Sequence, residues 1–178
     1  MTRLFHLDVW SPYLAHYPYD HRRRRINKES ITLVWFDLCA DDEDNDGELI
    51  ERLRAINDFS LIYHDLDVCR SYAESVNTEK ILLVTSNAGA CAILPALNDL
   101  VQLDSVFIFD NADTIADSTS HAYSTTKLVG MSNDWANLEK TIIATIIKLR
   151  KHMDLFNYFD QNQSSTHNIT EQQSDFLW

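Results

Sequence analysis

The 178-residue sequence predicts a doubly wound α/β domain, one parallel sheet with helices on both faces. Two observations lead there. Five short apolar runs, rich in β-branched and aromatic residues, recur between residues 31 and 131. Segments with apolar residues three and four apart separate most of them, and no Asn-Gly hairpin signal lies between neighbours. Strands joined by such crossovers run parallel and wind right-handed, which buries both faces of the sheet.

Residues 1–29 mix aromatics (Phe5, Trp10, Tyr13, Tyr17, Tyr19) with Pro12, Pro18 and the basic run Arg22–Arg25. No period holds there, so an extended arm is expected, with 30–153 as the domain and 154–178 as a polar tail or linker. Ile31-Thr32-Leu33-Val34-Trp35-Phe36 is a continuous apolar run ahead of the polar stretch Asp41–Gly47, the pattern of a buried strand. Asp46 is the expected cap of a helix carrying Leu49, Ile50, Leu53 and Ile56 on one face. Phe59–Tyr63 is the second strand, before a helix with Val68, Tyr72 and Val76 at steps of four.

Ile81-Leu82-Leu83-Val84 is the third strand and the most apolar. Ser86-Asn87-Ala88-Gly89 turns it into a helix bearing Ile93, Leu94, Leu97 and Val101, with Pro95 expected early, where a missing N–H costs least. Val106–Phe109 is the fourth strand, and Asn111–Ser124 is polar with a faint helical signal around Ile115. Lys127–Met131 is a short fifth strand. A long helix follows, with Trp135, Leu138, Ile142, Ile146, Leu149 and Met153 at steps of three and four. Five strands in this pattern suit the flavodoxin-like order 2-1-3-4-5. The last residues, Phe176-Leu177-Trp178, read as an element that docks back or continues in a longer protein.

An apolar share of 45% is that of a folded core rather than a disordered chain. The net charge of −12 opposes contact of the domain body with nucleic acid or anionic membrane. Arg22–Arg25 with Lys28 reads as a solvated arm pairing with the acidic body, nuclear import or an RNA contact being the alternative. No apolar run is long enough to span a membrane, and Met1–Trp10, broken by Arg3, His6 and Asp8, does not read as a signal peptide. Cys39, Cys69 and Cys91 form no CxxC pair, so neither zinc nor a disulfide framework is indicated and a cytoplasmic location is expected. The sequence around them suggests a strand and two helices, where cysteine acts as a small hydrophobe. The seven histidines show no metal-ligand spacing, and most read as exposed.

Ligands of such sheets bind outside the carboxyl ends of the strands. Asp37, Ser86, Asn87 and Asp110 lie at those ends and Lys127 on strand five, and these five are the candidates for a ligand pocket. Ser86-Asn87-Ala88-Gly89 sits where backbone N–H groups hold anions, but GxGxxG and GxxxxGK[ST] are both absent, which favours Asn87 as a helix cap. Ser86 as a nucleophile would need a GxSxG elbow, also absent. Asp42-Glu43-Asp44-Asn45-Asp46-Gly47 matches the first half of a calcium loop, making Asp42, Asp44 and Asp46 the metal candidates. The twelfth position is Leu53 where a bidentate Glu is required, so a solvated acidic loop is expected, with weak Mg or Ca binding as the alternative and no other cofactor.

Over residues 31–152 the element order and the acidic group after strand one resemble the CheY-like receiver domain. In that family an acidic pair after strand one holds magnesium, an aspartate ending strand three accepts phosphate, and a lysine on strand five contacts the phosphoryl group. The resemblance implies Asp41 and Asp42, or Asp37, for the pair and Lys127 for the lysine, although no proline follows Lys127. Strand three ends Val84-Thr85-Ser86-Asn87, with no carboxylate to accept phosphate. Leu33-Val34-Trp35-Phe36-Asp37, Leu82-Leu83-Val84-Thr85-Ser86 with Gly89, and Ser105-Val106-Phe107-Ile108-Phe109 also resemble a receiver-like module at the N-terminus of some invertebrate multidomain proteins. There the module precedes tetratricopeptide repeats or an arginine-type mono-ADP-ribosyltransferase domain. Two functions are therefore expected in competition. One is a non-catalytic interaction or regulatory module working with a protein partner or a C-terminal effector domain. The other is a small-ligand or nucleotide-binding domain, or an enzyme, using the strand-end pocket.

Overall fold

The computed structural model describes Asn27, residues 30–38, 46–110 and 125–172, with side chains as far as Leu155. The elements are β1 (Ile31–Phe36), α1 (Asp46–Ile56), β2 (Ser60–Tyr63), α2 (Leu66–Ser75), β3 (Lys80–Thr85), α3 (Asn87–Leu97), β4 (Leu103–Phe109), β5 (Leu128–Ser132) and α4 (Trp135–Gln172). All strand pairs are parallel, in the order β2-β1-β3-β4-β5, a flavodoxin-like arrangement. The expected fold class and strand order are both found.

Every residue of β1 is buried, because β1 and β3 are central and covered on both faces. Alternate residues of each strand feed opposite cores. Val34, Phe36, Leu83, Val106 and Ile108 meet Cys69 and Ala73 of α2 and Ile93 and Leu94 of α3. Leu33, Trp35, Leu82, Val84 and Phe107 meet Leu53 of α1 and Leu138, Ile142 and Ile146 of α4. Phe36 is level with Thr85, Thr85 with Ile108, and Ile108 with Met131, so the residues following β1, β3 and β4 share one edge of the sheet.

Several local expectations need correction. Asp46 is the first residue of α1 rather than the residue before it. Ser86, not Asn87, caps α3: its hydroxyl accepts from Gly89 N at 3.1 Å. Pro95 lies near the end of α3, and Val101 is exposed beyond it, because α3 closes at Leu97. The chain turns there since β4 begins at Leu103, earlier than its apolar run suggests. The polar pair Asp104 and Ser105 hides that start, and inside the strand the Ser105 hydroxyl donates to the Asp104 carboxylate at 2.7 Å. Cys69 is buried but Cys91 is exposed on α3, so only the first acts as a hydrophobe.

α4 runs 38 residues, well past Met153, the last of its described side chains to pack against the sheet core. No glycine or proline interrupts Trp135–Gln172, so nothing in the covalent chain stops a helix where a polar tail was expected. No described helix is long and apolar enough to cross a membrane. The arm 1–26, Cys39, the candidates Asp41, Asp42 and Asp44, segment 111–124 and residues 173–178 lie outside the described residues.

Candidate functional site

The carboxyl edge of the sheet brings Asp37, Ser86, Asn87 and Asp110 together, and each is held by the local fold. Asp110 follows β4, and its carboxylate accepts from Asn87 N at 2.9 Å, at the first turn of α3. The positive end of the helix dipole therefore already faces a carboxylate of the chain itself. Asp110 N in turn donates to Ser132 O at 3.1 Å, tying the end of β4 to β5. The Ser86 hydroxyl is engaged as the helix cap.

On the other side of β3, Asp37 N donates to Tyr63 O at 3.1 Å. His64 closes this corner. Its Nδ1 lies 3.0 Å from Asp37 O and its Nε2 2.8 Å from the Asp46 carboxylate. A carbonyl oxygen only accepts, so Nδ1 carries a hydrogen and donates it to Asp37 O. Asp46, a metal candidate by its place in the acidic loop, is thus engaged with the ring of His64. Asp37 and Asp110 follow strands separated by β3, about 10 Å apart at the backbone, whereas a cation draws its oxygens to about 2–2.6 Å. Among the described residues no group of three His, Cys, Asp or Glu is placed to hold a metal.

Two polar atoms at the β3–α3 turn lack a partner. Thr85 is fully buried with its Oγ1 unbonded, and Asn87 Oδ1 is buried without a hydrogen bond. Gly89 is required directly above the threonine. A Cβ built on Gly89 would come within 2.2 Å of Thr85 Oγ1 and 3.4 Å of Phe36 Cδ1. The glycine thus permits α3 to approach β3, which is a packing role.

Lys127 does not join the group. It precedes β5 at the opposite edge of the sheet, where Nζ donates to Leu100 O at 2.7 Å. Burial lowers its pKa, against the raising effect of Asp99 and Asp104, while Lys80 lowers it further. The sequence makes Lys127 the first residue of the fifth strand; β5 begins one residue later, at Leu128, which leaves the lysine just before the strand at its amino end, away from the carboxyl edge.

Two features escaped sequence reading because they join residues distant in the chain. The first is the His64–Asp46–Asp37 corner. The second is an aromatic corner formed by Trp35, Phe109 and Trp135. Ring centroids are 5.8 Å apart for Trp35–Phe109 and 6.0 Å for Phe109–Trp135, with Arg52 lying 4.1 Å over the Trp135 ring. Arg52 thus covers one face of the Trp135 ring in a cation–π contact. Comparison of the chain with family models, with curated proteins and with solved structures found no match to any of them.

Proposed function

We propose that this chain is a non-catalytic, receiver-like interaction or regulatory module, acting through a protein partner or through an effector domain joined to it. One observation carries the reading: among the described residues, several polar groups near the strand ends are bonded within the fold. Asp110 binds Asn87 N, the Ser86 hydroxyl binds Gly89 N, and Asp46 binds His64, while Lys127 is tied to Leu100 at the far edge. Phosphotransfer of the receiver type needs a carboxylate where β3 ends, and that position is the buried Thr85, followed by Ser86.

A second reading, ligand binding at the same edge, is favoured by one specific observation. Thr85 Oγ1 and Asn87 Oδ1 are buried without partners, and such groups cost about 1–3 kcal/mol each. Thermal unfolding of the full chain with Mg²⁺, Ca²⁺, NAD and ATP separates the two, because ligand binding to the native state raises its stability. The module reading expects no shift from any of the four. A shift that disappears in Asp37→Ala overturns it in favour of a strand-end site.

A further inference from the structure

α4 presents a second face that the described residues of its own domain leave exposed. At about 100° per residue, Lys140, Ala144, Ile147, Lys148, Lys151 and Leu155 point away from the buried stripe Leu138, Ile142 and Ile146. Ile143 lies on the flank of the same surface. Ile143 is 38% exposed, Ile147 49% and Leu155 55%. No Asp or Glu occurs from Thr141 to Met153, the exposed Asp154 lies on this face beside Leu155, and among the described residues no ion pair engages Lys140, Lys148 or Lys151. A merely solvated helix face mixes charges and leaves out large aliphatics. This one interleaves lysines with aliphatics in a chain of net charge −12.

We propose that the outer face of α4 docks an acidic amphipathic helix of a partner protein. The partner's apolar side chains would lie on Ile143, Ile147 and Leu155, and its carboxylates on Lys140, Lys148 and Lys151. The surface spans 16 residues, about 23 Å, which is four turns and enough for anchors at helical spacing. Charge chooses the occupant. A second copy paired through a two-fold axis would set this basic face against itself, which is repulsive. Beyond Asp154, the acidic remainder of the chain acts only weakly on the partner, because charges are screened over about 8 Å at physiological salt and the three lysines act locally. This inference rests on the interaction-module reading and names its surface.

The test uses the full chain and a fluorescent designed helix of about 20 residues, leucines on one face and glutamates on the other. Fluorescence anisotropy should show binding that weakens as salt rises and falls at least about tenfold in Lys148→Glu/Lys151→Glu and in Ile147→Ser. A helix with lysines in place of the glutamates should gain affinity for the doubly reversed variant. Circular dichroism checks that each variant is folded; these exposed positions tolerate substitution. Absence of binding overturns the proposal, as does affinity that neither variant changes; the second outcome leaves the module reading standing. Sedimentation with phosphatidylserine–phosphatidylcholine vesicles that is lost in the lysine variant, without peptide binding, overturns it in favour of a lipid surface. A nucleotide or cation shift that vanishes in Asp37→Ala removes the reading beneath it, whatever α4 binds.

Discussion

Gly89→Ala is the sharpest probe of how the β3–α3 turn is built. Alanine is the better helix former, by about 1 kcal/mol over glycine, so an isolated α3 would gain from the change. In the fold the new Cβ would fall 2.2 Å from Thr85 Oγ1, against a fully buried β-branched side chain with a stiff χ1. Phe36 Cδ1 at 3.4 Å and Ser86 Oγ at 3.3 Å limit any sideways escape. Overpacking of this kind costs about 1–3 kcal/mol, and somewhat more where neither neighbour yields. A net destabilisation of about 2 kcal/mol is expected, a fall in Tm of about 4–8 °C for a chain of this size. The sign should invert when the obstacle is removed: in a Thr85→Ala background, Gly89→Ala should stabilise by up to about 1 kcal/mol. Urea unfolding of the four proteins gives the coupling energy directly. A neutral Gly89→Ala, or an equal loss in both backgrounds, would refute the view that Thr85 dictates glycine here.

Four further expectations concern the same edge and the thiols of Cys69 and Cys91. Asp110→Ala should cost about 1 kcal/mol in urea unfolding, because it removes the carboxylate that accepts from the first turn of α3. His64→Ala should cost about 2 kcal/mol by thermal unfolding, since both ring nitrogens are bonded; a loss below about 0.5 kcal/mol would show that the corner is not formed. At pH 8, iodoacetamide should modify Cys91 and spare Cys69, whose thiol burial pushes up to about 12, with mass spectrometry of the native protein as the readout. The same burial predicts alkaline sensitivity. Cys69, and Tyr72, raised to about 12 chiefly by burial, keep protons that the unfolded chain releases, so stability is full at neutral pH and falls as pH climbs from about 9 towards 12.

The site was legible only in part. The position of Ser86 and Asn87 at a strand-to-helix turn follows from an apolar run meeting a polar one, and sequence suffices for that. Which of the two caps the helix depends on one residue of register, finer than any periodicity resolves. Lys127 was misplaced for a related reason. A difference of one residue at the start of β5 takes the lysine off the strand, and a lysine at the amino end of a parallel strand stands opposite the edge that carries the candidate pocket. His64 gave no signal at all, since its partners Asp37 and Asp46 lie 27 and 18 residues away.

The sequence by itself determined the fold class and the strand order of this protein. Five apolar runs separated by amphipathic segments leave few ways to bury their surface, and right-handed crossovers reduce those to one parallel sheet. Only the tertiary structure decided which polar groups are available at the strand ends. Asp110 and Asp46 look alike in the sequence as exposed loop residues, yet each is bound by a group brought to it through folding. Whether a carboxylate is free for chemistry depends on hydrogen bonds between residues remote in the chain, and local composition carries no record of them.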